Sequence, residues 1–472
     1  MKKFAFAALL ALGVVALLAP PTAFAADEDK MFKLHGEVRF RGEYTNNTYN
    51  FNSDNDPGDD DSTGYWPYRV RIAAEGQFSD NVSGWIEFQN TGVFGEQGLV
   101  AQNLPGFSDQ TNARRFNDGK SLTQMYQAYI NLGKLWSDNF NMRIGRQEML
   151  FGNEFIFGDE DFYTGISHDA IVGTWDLKAV DITAWYARTV EDSVFQYGFP
   201  SGGAQDLPPD LVTINPFANN IEHLGAYVTF GVGKDKSQDV DIYIVNMNVR
   251  GTGGRFQTLG ARYGRDGWDK GGLVWNVEYA IQMGDFSSEL VGGFDESAGG
   301  SAGEALIGWN FKGTKNVHRV FGKYELASGD DASSTDEFEG FVPLFGEIHN
   351  RTGRGDWFRV QHDPTDLGFT GLNSGGLEAW ALGYTGMFGS KHEVGAQYWD
   401  YSYETDAFYG PGPNPGTDLG KAFDIWYGYN YSKNVTLEAS YSNLAPGDAL
   451  TGGGTNPDDS VERLYGNIRL RF

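Results

Sequence analysis

The sequence predicts an all-β protein, a transmembrane up-and-down antiparallel β-barrel of about 18 strands with short periplasmic turns and long extracellular loops. Three observations predict it. Segments of about ten residues alternate apolar and polar positions, short links alternate with long ones, and no internal run reaches the ~20 apolar residues a membrane helix needs. Composition narrows the field further. An aromatic content of 15% is too high for a disordered chain. The complete lack of cysteine removes disulfide scaffolds, thiolate metal sites and cysteine nucleophiles. A formal charge of -27 argues against a nucleic-acid partner, because phosphate binding needs surplus Lys and Arg.

Lys2 and Lys3 precede the apolar run Phe4 to Leu18, and Ala23-Phe24-Ala25 offers small residues where a signal peptidase reads. This predicts a secretory signal over residues 1–25, cut before Ala26, with one barrel domain over 26–472. The run is short for a membrane anchor, and Pro20-Pro21 breaks it.

The first strand sets Leu34, Gly36, Val38, Phe40, Gly42 and Tyr44 on one face and His35, Glu37, Arg39, Arg41 and Glu43 on the other. The next repeats this, with Trp66, Tyr68, Val70, Ile72 and Ala74 against Arg69, Arg71, Glu75 and Gln77. The last places Leu464, Gly466, Ile468, Leu470 and Phe472 against Tyr465, Asn467, Arg469 and Arg471. Links at 79–83, 133–139, 176–178, 389–391 and 432–434 are short. Those at 46–64, 94–120, 190–220, 328–376 and 444–461 are long. An even strand number returns both ends of the barrel to one side. The links near 251–254 and 265–271 fit the alternation poorly, so the count carries a margin of two.

Energetics chooses the lipid face. An Arg at the bilayer midplane on the outside of a barrel costs about 2–4 kcal/mol. The predicted lumen groups are therefore Arg39, Arg41, Arg69, Arg71, Arg143, Arg146, Arg262, Arg469 and Arg471, interleaved with Glu37, Glu75 and Glu87. A barrel this wide leaves an aqueous path, which these guanidinium groups would bias toward small anionic solutes. Tyr427, Tyr429 and Tyr431 on one strand, and Trp380 and Tyr384 on another, suit interfacial aromatic girdles. The alternating end at Phe472 is similar to the signal that the barrel-assembly machinery reads.

The stretch Ala128-Tyr129-Ile130-Asn131-Leu132, then Met142-Arg143-Ile144-Gly145-Arg146-Gln147-Glu148 and Phe151-Gly152-Asn153, resembles the alginate-export family of outer-membrane porins. A second block carries the same resemblance: Tyr324 to Ser328, Gly329, Asp330, then Phe341 to Phe345 and His349. The resemblance implies an 18-strand barrel whose lumen arginines form a positive zone for a polyuronate, with Arg143 and Arg146 among them. A guanidinium suits that task because it stays charged and grips a carboxylate in two-toothed fashion. Here the candidate periplasmic turns are all short and the lining is mixed in sign.

Acidic clusters fill the loops: Asp54, Asp56, Asp59, Asp60 and Asp61; Asp159, Glu160 and Asp161; Asp330, Asp331, Asp336, Glu337 and Glu339; Asp458 and Asp459. They are expected to be solvated, with Ca²⁺ bridging to lipopolysaccharide as the alternative role; no metal ligand set and no cofactor is predicted. Seven histidines lie singly, without metal-ligand spacing, and neither a nucleophile elbow nor a phosphate-binding loop is present. The sequence is thus read as a non-enzymatic outer-membrane channel for hydrophilic, anionic solutes such as uronates, in contact with lipid and lipopolysaccharide. The competing readings are a barrel-borne hydrolase built around His349, and a scaffold barrel whose acidic loops bind cations.

Overall fold

The computed structural model describes residues 32–47, 62–94, 122–159, 161–190, 221–233, 237–249, 254–268, 270–286, 296–330, 337–347, 349–358, 375–405, 416–451 and 459–472. The proposed signal segment, the Asp54–Asp61 cluster, Glu160, Asp331, Asp336 and Asp458 lie outside these residues. Eighteen long strands build the wall: β1 (Phe32–Asn46), β2 (Pro67–Ser79), β3 (Val82–Val93), β4 (Leu122–Leu132), β5 (Phe140–Gln147), β6 (His168–Asp176), β7 (Val180–Val190), β8 (Ile221–Val232) and β9 (Gln238–Val249). They continue as β10 (Gly254–Arg265), β11 (Gly272–Phe286), β12 (Ser301–Lys312), β13 (Asn316–Ala327), β14 (Leu377–Phe388), β15 (His392–Ser402), β16 (Asp418–Asn430), β17 (Val435–Pro446) and β18 (Val461–Arg471). Each pairs antiparallel with its sequence neighbours. The sheet closes where β1 meets β18, from Glu37 opposite Arg471 to Asn46 opposite Glu462. The expected strand number is correct. The two doubtful links fall into place because the one between Val249 and Gly254 is simply a tight member of the long-loop side, and the one between Arg265 and Gly272 belongs to the short-turn side.

The two faces separate as the alternation requires. In β1, Glu37, Arg39, Arg41 and Glu43 are buried, whereas Leu34, Phe40 and Tyr44 are exposed. Outward Ile72, Ile86, Ile130, Ile242, Ile307 and Leu382 form an aliphatic belt. Aromatic side chains bracket it: Phe32, Phe78, Trp136, Phe311, Phe388 and Phe472 at the short-turn end, Tyr44, Trp66, Phe94, Tyr186 and Trp380 toward the other. Tyr427 and Tyr431 are exposed among them. Two bands of rings around an apolar waist are what a slab of hydrocarbon between two aqueous interfaces selects.

A polar row marks where the belt ends. Following the register, Arg146, Asp169, Arg188, Glu222, Asn248, Arg255 and Asp285 stand side by side on the outward face of β5 to β11. Charges so placed must sit beyond the hydrocarbon.

Inside, the lumen is not simply water. The described parts of the β5–β6 loop (148–159 and 161–167) and the stretches 337–347 and 349–358 of the β13–β14 loop fold inward and meet. A parallel bridge joins Phe157 to Phe345, and the amides of Gly158, Phe345 and Glu347 donate across the junction to Phe345, Ile156 and Glu154 at 2.7, 3.0 and 2.9 Å. Phe155, Ile156, Phe157 and Phe358 are essentially fully buried there, together with Trp185, Val245, Tyr401 and Trp399 from the wall. Burying so many rings drives the loops inward.

Candidate functional site: an arginine wall and the loop that meets it

Strand register creates the site. Arg469 of β18, Arg39 of β1 and Arg69 of β2 are direct cross-strand neighbours, and the next inward row is Arg471, Glu37 and Arg71. Like charges directly opposite one another are destabilising, so three arginines abreast require counter-charge from elsewhere. The β5–β6 loop supplies it. Asp161 places its carboxylate 2.6 Å from Arg69, 3.1 Å from Arg71, 3.6 Å from Arg471 and 3.9 Å from Arg469. Arg39 donates to the carbonyls of Asp161 and, at 2.6 Å, of Tyr163. Burial alone would push the Asp161 carboxyl up, but the guanidinium groups of Arg69 and Arg71 outweigh it and hold the group well below the usual carboxylate range. Asp161 is therefore not solvated loop charge as expected; it is an anion held in a cradle of arginines.

The neighbours of that cradle are specific. Arg69 also binds Glu37 at 2.5 Å, and Glu37 accepts from Arg471 at 3.0 Å. Arg71 donates to Gln89 at 2.7 Å and to the Thr164 carbonyl at 3.0 Å, and lies 3.9 Å over the Tyr126 ring. Tyr126 points inward because the β3–β4 register shifts between Glu87 and Phe88, and such a bulge re-aims a side chain. Its hydroxyl donates to Glu148 at 2.5 Å. Gly165 lets the loop pass: its φ is +78°, and a Cβ there would lie 2.6 Å from Arg71 and 2.3 Å from the Tyr126 hydroxyl. Arg41 sits 3.4 Å above the Phe162 ring with Glu43 at 3.6 Å. Glu43 in turn accepts from Tyr65, Tyr163 and Arg463.

Two cavities flank the wall. One of about 420 Å³ is lined by Arg39, Arg41, Asp161, Arg354, Glu438 and Arg469, among others. The second, about 340 Å³, is lined by Glu37, Arg71, Glu87, Glu148 and Arg471. Each is in the size range of small-molecule sites.

The remaining predicted groups do not complete a ring. Arg143 faces the lumen on β5, held by Asn131 at 2.8 Å and Tyr129 at 4.5 Å. Arg262 is on another wall, paired to Asp241 at 2.6 Å. Glu75 binds His35 at 3.2 Å, and Glu87 accepts from Gln127 at 2.9 Å. Arg146, expected in the path beside Arg143, faces outward. It is one residue from its lumen-facing neighbours, so alternation turns it to the other side, where it grips Asp169 at 2.7 and 2.8 Å. Of the motif residues, Gly145 adopts a φ of +128°, where a Cβ would lie 2.2 Å from the Ala128 carbonyl. Gln147 is buried and donates to the Gly145 and Ala170 carbonyls. Gly329 donates to Glu404, and Asp330 accepts from the Glu339 amide. These four shape strand ends and loops.

His349, the centre of the competing hydrolase reading, lies 3.0 Å from Asp356 through Nδ1 and stacks on Phe162 at 4.1 Å; Asp356 also accepts from Arg463. The imidazole thus ties the two inward loops to the wall. At the loop junction Glu154, Asp159 and Glu347 bring carboxylate oxygens within 4.8 Å of one another, although no metal ligand set was predicted. Burial pushes the Glu154 and Asp159 carboxyls up.

A closed barrel with an apolar belt, ring girdles and a charged interior is an outer-membrane porin-type barrel. The sequence pattern that defines the Alginate export family matches residues 32–361, and the chain belongs to that family. Among solved structures it is similar to Pseudomonas aeruginosa OccK2 (OpdF) in complex with glucuronate, at 10% identity and a TM-score of 0.55, covering 93% of this chain and 96% of that one. Pseudomonas aeruginosa OpdL matches at 9% identity and TM-score 0.55, over 93% and 98% of the two chains. OccK9 (OpdG) of the same organism matches at 12% and 0.53, over 93% and 98%. At such identities the likeness is one of fold.

Proposed function

We propose that this protein is an outer-membrane channel for hydrophilic anionic solutes, uronates and related acidic saccharides being the class its lining suits best. The observation that carries the reading is the cross-strand row Arg469, Arg39 and Arg69 beside a cavity of about 420 Å³. Fixed guanidinium groups on one wall lower the electrostatic barrier for a carboxylate, and the cavity accommodates a sugar acid. The family, and a structural neighbour described with glucuronate, support the same class. Transport follows the solute gradient and involves no covalent chemistry. Residues 1–25 serve as the export signal, the strand ending in Phe472 is the element read by the assembly machinery, and the outward belt contacts lipid and lipopolysaccharide.

Planar-bilayer recording of the purified protein tests this. Stepwise conductance with a reversal potential favouring anions is expected. A cation-selective or non-conducting barrel contradicts it.

A further inference from the structure

We propose that Asp161 is a built-in competitor for the solute, a carboxylate tethered on the β5–β6 loop that occupies the anion site and exchanges with the carboxylate of a passing acid. The proposal rests on the reading of this lumen as an anion path and deepens it by naming how the site is regulated.

Four features of the geometry carry it. The Asp161 carboxylate has four guanidinium groups within 4 Å, a denser positive cradle than one loop aspartate needs for anchoring. The cradle is two-sided: Arg69 and Arg71 hold the carboxylate closely, with side chains 1% and 10% exposed, while Arg469 and Arg471 stand farther off at 3.9 and 3.6 Å and are 30% and 56% exposed. An incoming anion therefore meets Arg471 and Arg469 first, on the side where the resident carboxylate is loosely held. Both cavities border this contact, one including Asp161 and Arg469, the other Arg71 and Arg471. Finally, the loop does not depend on the carboxylate for its position. Arg39 holds the Asp161 and Tyr163 carbonyls, Tyr163 donates to Glu43 at 2.8 Å, and Phe162 is clamped between Arg41 and His349. Rotation about the Asp161 side chain alone vacates the site, with the backbone left in place.

The exchange is charge-neutral at the cradle: one carboxylate leaves four arginines as another arrives. The arginines are never left bare, and the solute is never bound so tightly that it cannot leave. Arg41, whose Nε and Nη1 make no hydrogen bond among the described residues, lines the larger cavity and is a second grip for an acid bearing more than one anionic group.

The test is D-glucuronate binding to the detergent-solubilised barrel by titration calorimetry, in the wild type, Asp161→Asn and Asp161→Glu. A competitor that fills the site in nine of ten molecules lowers apparent affinity about tenfold. Asp161→Asn is therefore expected to tighten glucuronate binding about tenfold, with Asp161→Glu near the wild type. Unchanged or weaker binding in a folded Asp161→Asn barrel overturns the proposal. If that variant does not fold, the double change Arg469→Gln with Arg471→Gln decides: loss of glucuronate binding supports exchange at this cradle, and retained binding overturns it. Bilayer conductance is read in parallel. Tighter binding in a barrel that passes no current supports the competitor and defeats the path, whereas anion current with unaltered binding defeats the competitor alone.

Discussion

On the wall of β18, β1 and β2 three arginines stand abreast; across the lumen β11, β12 and β13 set Glu278, Glu304 and Glu325 abreast in the same way. Each row needs the opposite charge, and in each case an inward loop brings it. Asp161 goes to the arginines, while Arg351 reaches Glu304 at 3.1 Å, and Lys323 of β13 itself adds a charge from the wall to Glu325 at 2.6 Å. The difference is access. Glu304, Glu325 and Arg351 have side chains 3%, 0% and 8% exposed, so the acidic wall is sealed around its counter-charges. Arg469 and Arg471 remain open. One wall anchors the loops, and the other keeps charge within reach of a solute.

Buried pairs are the severest way to break this contrast. Removing one partner of a buried ion pair costs about 3–5 kcal/mol, so Arg69→Ala, which takes from Glu37 and Asp161 their closest cationic partner, and Glu304→Ala, which removes the carboxylate 3.1 Å from Arg351, are both expected to lower stability by that amount in urea unfolding. Only Arg69→Ala should also move the reversal potential toward cations. A shift of equal size in Glu304→Ala would erase the functional distinction between the walls. Phe157→Ala comes next. It opens a cavity where the loops join, at about 3 kcal/mol, and the loss should appear as protease sensitivity of residues 148–167 and a larger single-channel conductance, with the strands intact.

Arg469→Gln with Arg471→Gln should cut anion preference several-fold while changing stability by less than about 1 kcal/mol, because both groups are partly exposed and screened. Arg146→Ala sharpens the comparison from outside. An exposed pair such as Arg146 with Asp169 contributes ~0.2–1 kcal/mol, and the reversal potential should not change.

Acid is expected to have the smallest effect. The depressed Asp161 carboxyl adds stability at neutral pH that is lost only as pH falls through its lowered value. The raised carboxyls of Glu154 and Asp159 take up protons in the folded state before the unfolded chain does, so their contribution improves as pH falls toward the ordinary values of 4.5 and 3.8. Loop 148–167 should therefore stay protected from protease between pH 7 and about 4.5; release in that interval would contradict the arrangement at the junction.

Several parts of this site could be read in advance. Arg39, Arg41, Arg69, Arg71, Arg469 and Arg471 were assignable to the lumen because their faces alternate cleanly with Phe40, Val70, Ile72 and Leu470. The outward facing of Arg146 is not legible in the motif Gly145-Arg146-Gln147, because a motif specifies residue type while a single step along a strand reverses the direction of the side chain. Asp161 escaped for another reason. An acidic triplet between strands reads as solvated, and the 148–167 link is not among the long ones that the alternation picks out. The signal was nevertheless present: Phe155-Ile156-Phe157 before the triplet and Phe162-Tyr163 after it are too apolar for a loop in water.

The barrel class, the lipid-facing set and the charged interior were determined by the sequence alone, because period-two alternation is local and the contrast between hydrocarbon and water enforces it along every strand. Which loop enters the lumen, and which carboxylate faces the arginines, was decided only by the tertiary structure. Those contacts join residues far apart in the chain, Arg71 to Asp161 across 90 positions and Arg39 to Tyr163 across 124. Their partners are chosen by closure of the barrel and by the charge each wall leaves unbalanced, and neither is written in any local pattern.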